Sequence, residues 1–167
     1  MKTYEEIKAV YLKGAKPIVP PLLSWDFHVE NLSRISDIQK DALVLNKLID
    51  KLSLDIDLMA ELESNSNVVL VTDLSLRIEF ASSNIIEMTG YLSSEVVGNY
   101  PNMFQGVKTD RELSKKIKDK INKRESFDEV LVNYRKNKSV YNCRIKGFPI
   151  FNKKGDLVKY VAVEQAA

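Results

Sequence analysis

The stretch NVVLVTDLSLRIEFASSNIIEMTGY, Asn67–Tyr91, decides the fold, because the hydrophobic period of the chain changes inside it. Val68–Thr72 is a short β-branched run, Asp73-Leu74-Ser75 a turn, and a second strand is predicted near Arg77–Ala81. A short helix over Ser83–Thr89 then ends at Gly90, a residue suited to the left-handed position after a helix. Further on, Thr109-Asp110-Arg111-Glu112 has the spacing of a capping box with Thr109 as cap. Leu113, Ile117 and Ile121 mark the buried stripe expected of the helix it opens. Three strands follow near Phe127–Arg135, Val140–Phe151 and Leu157–Gln165, separated by turns at Lys136–Ser139 and Asn152–Asp156. Two strands, short helices and three strands predict an α+β domain: a five-stranded antiparallel sheet with short helices on one face.

Upstream of this region the pattern is helical. Ile7, Val10 and Tyr11 suggest a short amphipathic helix over Thr3–Lys13, broken by Pro17, Pro20 and Pro21. From Ser24 onward Ile35, Ile38, Ala42, Leu45, Ile49, Leu52, Ile56 and Met59 recur in steps of three and four. That spacing suits a dimerisation seam carried by Ile38, Leu45, Ile49, Leu52 and Ile56. It suits equally a helix folded back on its own domain, which Leu43, Leu48 and Leu54 favour by widening the apolar face. The expected organisation is a helical extension over residues 1–62 and a domain over residues 63–167.

Composition narrows the function. The 25 basic and 23 acidic side chains leave a net charge of +2, too little for a field that gathers nucleic acid or an anionic membrane. One cysteine, Cys143, and one histidine, His28, leave no disulfide framework or multi-cysteine metal site. No apolar run approaches the roughly 20 residues of a membrane span. The N-terminus lacks the long apolar segment of a secretory signal, so a cytoplasmic protein is expected. Neither a phosphate-binding loop nor a nucleophile elbow nor a zinc-protease helix occurs, and no enzyme activity is expected.

The landmarks VVLVTD, EMTGY, GNYPNMFQG (Gly98–Gly106), NYRKN (Asn133–Asn137) and KKGDLVKYVAVEQ together resemble the PAS superfamily, and within it the flavin-binding LOV branch. The resemblance implies a sensor or interaction module in signal transduction, with a cavity between sheet and helices. It also implies that Pro101 occupies the position of the family's reactive cysteine in the G-x-N-C-R-F-L-Q motif. A proline has no thiol, so the family's photoadduct is not expected. Tyr100 stands where the family holds its cofactor with an asparagine. Asn102 replaces a phosphate-binding arginine, Cys143 a ring-bonding asparagine, and Glu164 a glutamine tied to signalling. Asn133, Gln105 and, for a second phosphate-binding arginine, Lys118 remain. Each lost partner costs binding, so the expectation is no cofactor, with flavin mononucleotide (FMN) the alternative.

Strand alternation supplies a reading independent of the family. Tyr141, Cys143 and Ile145 share one face of their strand, Tyr160, Ala162 and Glu164 one face of the next, and Asn133 shares its face with Leu131. Asn133, Cys143 and Glu164 are therefore expected at the interior or its rim. For Glu164 the favoured expectation is a strand-end glutamate reaching water, since glutamate is rarely buried. The alternative is a ligand-sensing group paired with Asn133, Lys118 or a bound molecule.

Bland readings suit the remaining features. His28 reads as an ordinary helix histidine, Trp25 and Phe27 as packing anchors, and Cys143 as a packed thiol. The run Lys115, Lys116, Lys118, Lys120, Lys123, Arg124 reads as a solvated helix face paired with Glu112, Asp119 and Glu125. The expectation is thus a non-catalytic sensor that passes ligand or partner binding to its flanking helix. Its partners would be a second copy or a signalling protein, with a small molecule in the pocket and neither nucleic acid nor membrane involved. A purely structural dimerisation domain is the plainer alternative.

Overall fold

The computed structural model describes residues 22–49, 52, 56–64 and 66–167, with side chains from Leu32 onward. The expected helix over Thr3–Lys13 and the side chains of Trp25, Phe27, His28, Leu54 and Asp55 lie outside the described residues. The elements run α1 (Leu22–Ile49), α2 (Leu58–Glu63), β1 (Asn67–Thr72), β2 (Ile78–Ala81), α3 (Ile85–Thr89) and α4 (Ser93–Val96). A 3-10 turn, Pro101–Phe104, leads to α5 (Arg111–Asn122), then β3 (Phe127–Tyr134), β4 (Val140–Phe151) and β5 (Leu157–Ala166). The compact unit that holds the sheet begins at Asp37 and ends at Ala167.

The five strands form one antiparallel sheet in the order β2-β1-β5-β4-β3. Side-chain alternation gives the sheet two apolar faces. On one, Val68, Leu70, Ile78 and Cys143 pack with Ile85, Met88, Val96 and Phe104 from the short helices and the 3-10 turn. On the other, Val69, Val71, Phe80, Ile150, Val161 and Val163 pack with Leu45, Leu58 and Leu62. The expectation of helices on one face is therefore extended: the C-terminal part of α1, together with α2, covers much of the second. This explains why β1 reads as an unbroken apolar run, since it is covered on both sides.

The continuous helical heptad does not hold. α1 stops at Ile49, whose carbonyl accepts from the Leu52 N–H at 3.0 Å, and a new helix starts at Leu58. Asp57 starts this second helix, its carboxylate accepting from the Met59 and Ala60 N–H groups as an N-cap. Leu45 is fully buried, and Ala42, Leu48, Ile49, Leu52 and Ile56 pack onto the same cluster. These side chains serve the fold-back alternative, while Ile38 is half-buried and Ile35 and Leu43 are exposed.

The cap of α5 is also reassigned. Asp110, not Thr109, receives the Glu112 and Leu113 N–H groups, at 2.8 and 3.1 Å. Thr109 is buried instead, accepting from Gly106 N–H at 2.9 Å and donating to the Val132 carbonyl at 2.7 Å, which ties the loop to β3. By contrast, Gly90 ends α3 with φ of 76° as its position requires.

Candidate functional site

Between α5, the loop before it and the inner face of the sheet lies a cavity of about 480 Å³, within the range of small-molecule sites. Its floor comes from β1, β4 and β5 through Leu70, Ile145 and Ala162, and its roof from Ile117 and Ile121 of α5. Those two isoleucines and Leu113 are half-buried rather than buried, because the stripe predicted to fill a core borders this space. Tyr160 spans it, its hydroxyl donating to the Ile121 carbonyl at 2.8 Å. Burial around that hydroxyl raises its pKa.

One tight approach shapes the far wall. Gly147 pairs with Phe127 across the β3–β4 ladder, and both line the cavity. A Cβ on Gly147 would stand 2.1 Å from the Phe127 ring, so only glycine leaves room for that aromatic wall.

Glu164 also lines the cavity, yet it is only 3% exposed. Its strand neighbours are Val68 on β1 and Ile145 on β4, and its recorded partner is the Cys143 thiol, which donates at 3.6 Å. The expectation that it reaches water is overturned. Position near a strand end suggested solvent, but β1 and β4 flank it on both sides and it is buried. Burial pushes its carboxyl from 4.5 up to about 7, the weak thiol bond offsetting little of this.

Asn133 (3% exposed) and Cys143 (0%) are interior, as alternation predicts. The Asn133 amide oxygen, Tyr141 hydroxyl and Thr72 hydroxyl have no hydrogen-bond partner among the described residues. Asn133 pairs in register with Tyr141, over whose ring the Arg135 guanidinium sits at 4.4 Å. Burial, the leading cause, raises the pKa of both Tyr141 and Cys143, keeping them protonated. Of the expected pocket residues, Glu164, Gln105, Lys118, Tyr100 and Pro101 line the cavity, whereas Asn133, Tyr141 and Cys143 lie on the same face but outside its lining.

Sequence reasoning missed Thr72, Phe127 and Gly147. Thr72 was legible as two residues beyond Leu70, on the same face of β1. The lysines of α5 pair otherwise than expected: Lys116 and Lys120 both approach Glu129 on β3, at 2.8 and 3.5 Å.

A family model described as PAS domain matches residues 66–165, from the start of β1 to the next-to-last residue of β5, with α3, α4 and α5 between them. The chain belongs to the PAS domain family. Its PAS relatives among curated proteins include Protein TWIN LOV 1 of Arabidopsis thaliana, 38% identical over 88 residues, covering 52% of this chain and 22% of that protein. Phototropin-1A of Oryza sativa subsp. japonica is 30% identical over 112 residues, covering 65% and 12%. A blue-light photoreceptor of Listeria innocua serovar 6a is 28% identical over 111 residues, covering 65% and 44%. The PAS chain thus spans less than half the length of each. Among solved structures, a light-oxygen-voltage domain studied with a flavin analogue superposes with a TM-score of 0.62 at 28% identity, covering 68% of this chain and 86% of that one. The dark structure of Aureochrome1 LOV gives 0.61 at 28%, covering 69% and 86%.

Proposed function

We propose that this PAS domain is a non-catalytic, cytoplasmic ligand sensor whose occupied cavity changes how its flanking helix packs. The observation that carries the reading is the cavity itself, apolar over most of its wall and holding one buried carboxyl group, Glu164, at its inner end. An apolar site with few convergent polar groups is the usual form of a small-molecule pocket. The division of labour is a helical extension, residues 1–62, that reports, and a PAS core, residues 63–167, that senses. The report reaches a second copy or a signalling protein. A homodimer through α1 would use a face other than that of Leu45 and Ile49, which packs into the cluster over the sheet, as do Leu52 and Ile56 beyond the helix. Mass spectrometry of a denatured extract from gently purified protein tests the reading. A stoichiometric small molecule is expected, and its loss from a variant with the cavity filled, such as Ala162→Phe, identifies the place. An extract without any such species counts against it.

A second reading, FMN binding without a cysteinyl adduct, is favoured by the names of the relatives and by the cavity's volume. Lys115 and Lys118, on the outer wall, would meet a phosphate, and Gln105 and Tyr100 flank the entrance. At the inner end Glu164 suits the acceptor atoms of a flavin edge only when it carries a proton. When bound, flavin would supply absorption of blue light. The chain's single cysteine, Cys143, is outside the lining, and Pro101 on the wall offers no nucleophile. A sample that stays colourless after incubation with FMN and gel filtration rejects this version.

A further inference from the structure

We propose that the inner end of the cavity selects ligands presenting paired N–H donors, of the amidine or amino-heterocycle class, to the carboxylate of Glu164. The proposal rests on the reading of the cavity as the ligand site and names what that site prefers. Three features carry it. Glu164 lines the space while 97% of its surface is covered, since its relative exposure is 3%. Val68 and Ile145 flank it in the sheet and Ala162 precedes it on the same face, so on these sides apolar side chains stand where water would. Its one recorded hydrogen bond comes from a thiol, a weak donor, and no lysine or arginine among the described residues forms an ion pair with it.

A carboxylate in such a place takes either a proton or donors from whatever enters. Two parallel N–H groups match the two carboxylate oxygens and form the stronger, charge-assisted kind of hydrogen bond. Leu70, Leu131 and Phe127 then hold the flat apolar body behind that head. An anionic head would meet the carboxylate with like charge in a poorly solvated site and be rejected. Lys115 and Lys118 do not reverse this preference, because both are exposed on α5 and screened by solvent.

The full chain is titrated, slightly above neutral pH, with benzamidine, benzamide and benzoate, following the amide NMR signals of Gly147 and Ala162. Benzamidine is expected to bind tightest and benzoate weakest. Glu164→Gln, which keeps the size and removes the charge, is expected to weaken benzamidine roughly tenfold while leaving benzamide within about twofold. Equal binding of the three probes, or an unchanged benzamidine affinity in the variant, overturns the assignment. Absence of any shift with all three also overturns it. The sensor reading itself is judged separately, by the copurified mass.

Discussion

Between Val68 and Ile145, the Glu164 carboxyl sets a pH dependence that a surface glutamate would lack. Its folded-state value of about 7 lies above the ordinary 4.5. The sign follows from proton counting: over that interval the folded state holds a proton that the unfolded chain has released. Stability attributable to this group is therefore complete below 4.5 and is lost as pH rises through about 7. The difference amounts to about 3 kcal/mol once both states are ionised. Burial raises the pKa of the neighbouring Cys143 and Tyr141 on β4 and Tyr160 on β5, so these groups stay protonated across that window. Glu164→Gln should thus be more stable than the parent by about that amount above pH ~7, the two converging in acid. Urea unfolding across the pH range measures it, and parallel curves would show that the carboxyl is hydrated. A second residue, Lys138, holds a left-handed backbone with φ of 69° in the exposed β3–β4 turn. Lys138→Gly should raise stability by about 1 kcal/mol, seen as a melting temperature higher by a few degrees; a lower one would mean the turn depends on the side chain.

At the scale of elements, the part of α1 from Asp37 onward is fixed to the sheet by apolar contact, and α5 by the Tyr160 bond at its end and the pairs of Lys116 and Lys120 with Glu129. Leu45 is fully buried in the cluster that α1, α2 and the sheet form together, so Leu45→Ala should cost about 3 kcal/mol in chemical unfolding. A loss below about 1 kcal/mol would show the helix free of the sheet. Tyr160→Phe removes the bond to the Ile121 carbonyl and should cost about 1 kcal/mol, with faster hydrogen exchange confined to the end of α5. The elements differ in how far the sequence disclosed them. The strands were legible because alternation fixes which side chains share a face, and Gly90 announced its helix end through a backbone only glycine adopts freely. The heptad left two readings open because apolar spacing is the same for a seam between chains and for docking onto a sheet. Asp57, whose cap opens α2, looks in sequence like any polar heptad position. Thr109 and Asp110 are both good caps, and only the nearby Val132 carbonyl decides between them. Glu164 was placed on the right face and given the wrong solvent, since burial depends on what covers a face, which alternation along one strand does not encode.

For the molecule as a whole, sensing requires a connection between cavity and α1 whose two ends respond to each other. One polar link is Asp41, whose carboxylate accepts from the Ser83 N–H at 2.6 Å and from its hydroxyl at 2.9 Å. Burial holds that carboxyl above its ordinary range in spite of those bonds. From there the contacts run inward: the Ser82 hydroxyl donates to Asn84 and accepts from the Val69 N–H, and the Asn84 amide donates to the Asn67 carbonyl. Asn67 opens β1, the strand that carries Leu70 and Thr72 on the cavity wall. A ligand shifts α1 only by binding its docked and released arrangements unequally, and the coupling is reciprocal. Loosening the docking of α1 by Asp41→Ala should therefore change the affinity of a cavity ligand by about fivefold or more, the lower end of ordinary allosteric coupling. Bound ligand should in turn slow hydrogen exchange at Ser83 in the parent and not in the variant. Because Asp41 does not line the cavity, such a change has no direct-contact explanation. Equal affinities in parent and variant, with both folded, would disconnect this route and leave α1 as a structural cover for the sheet.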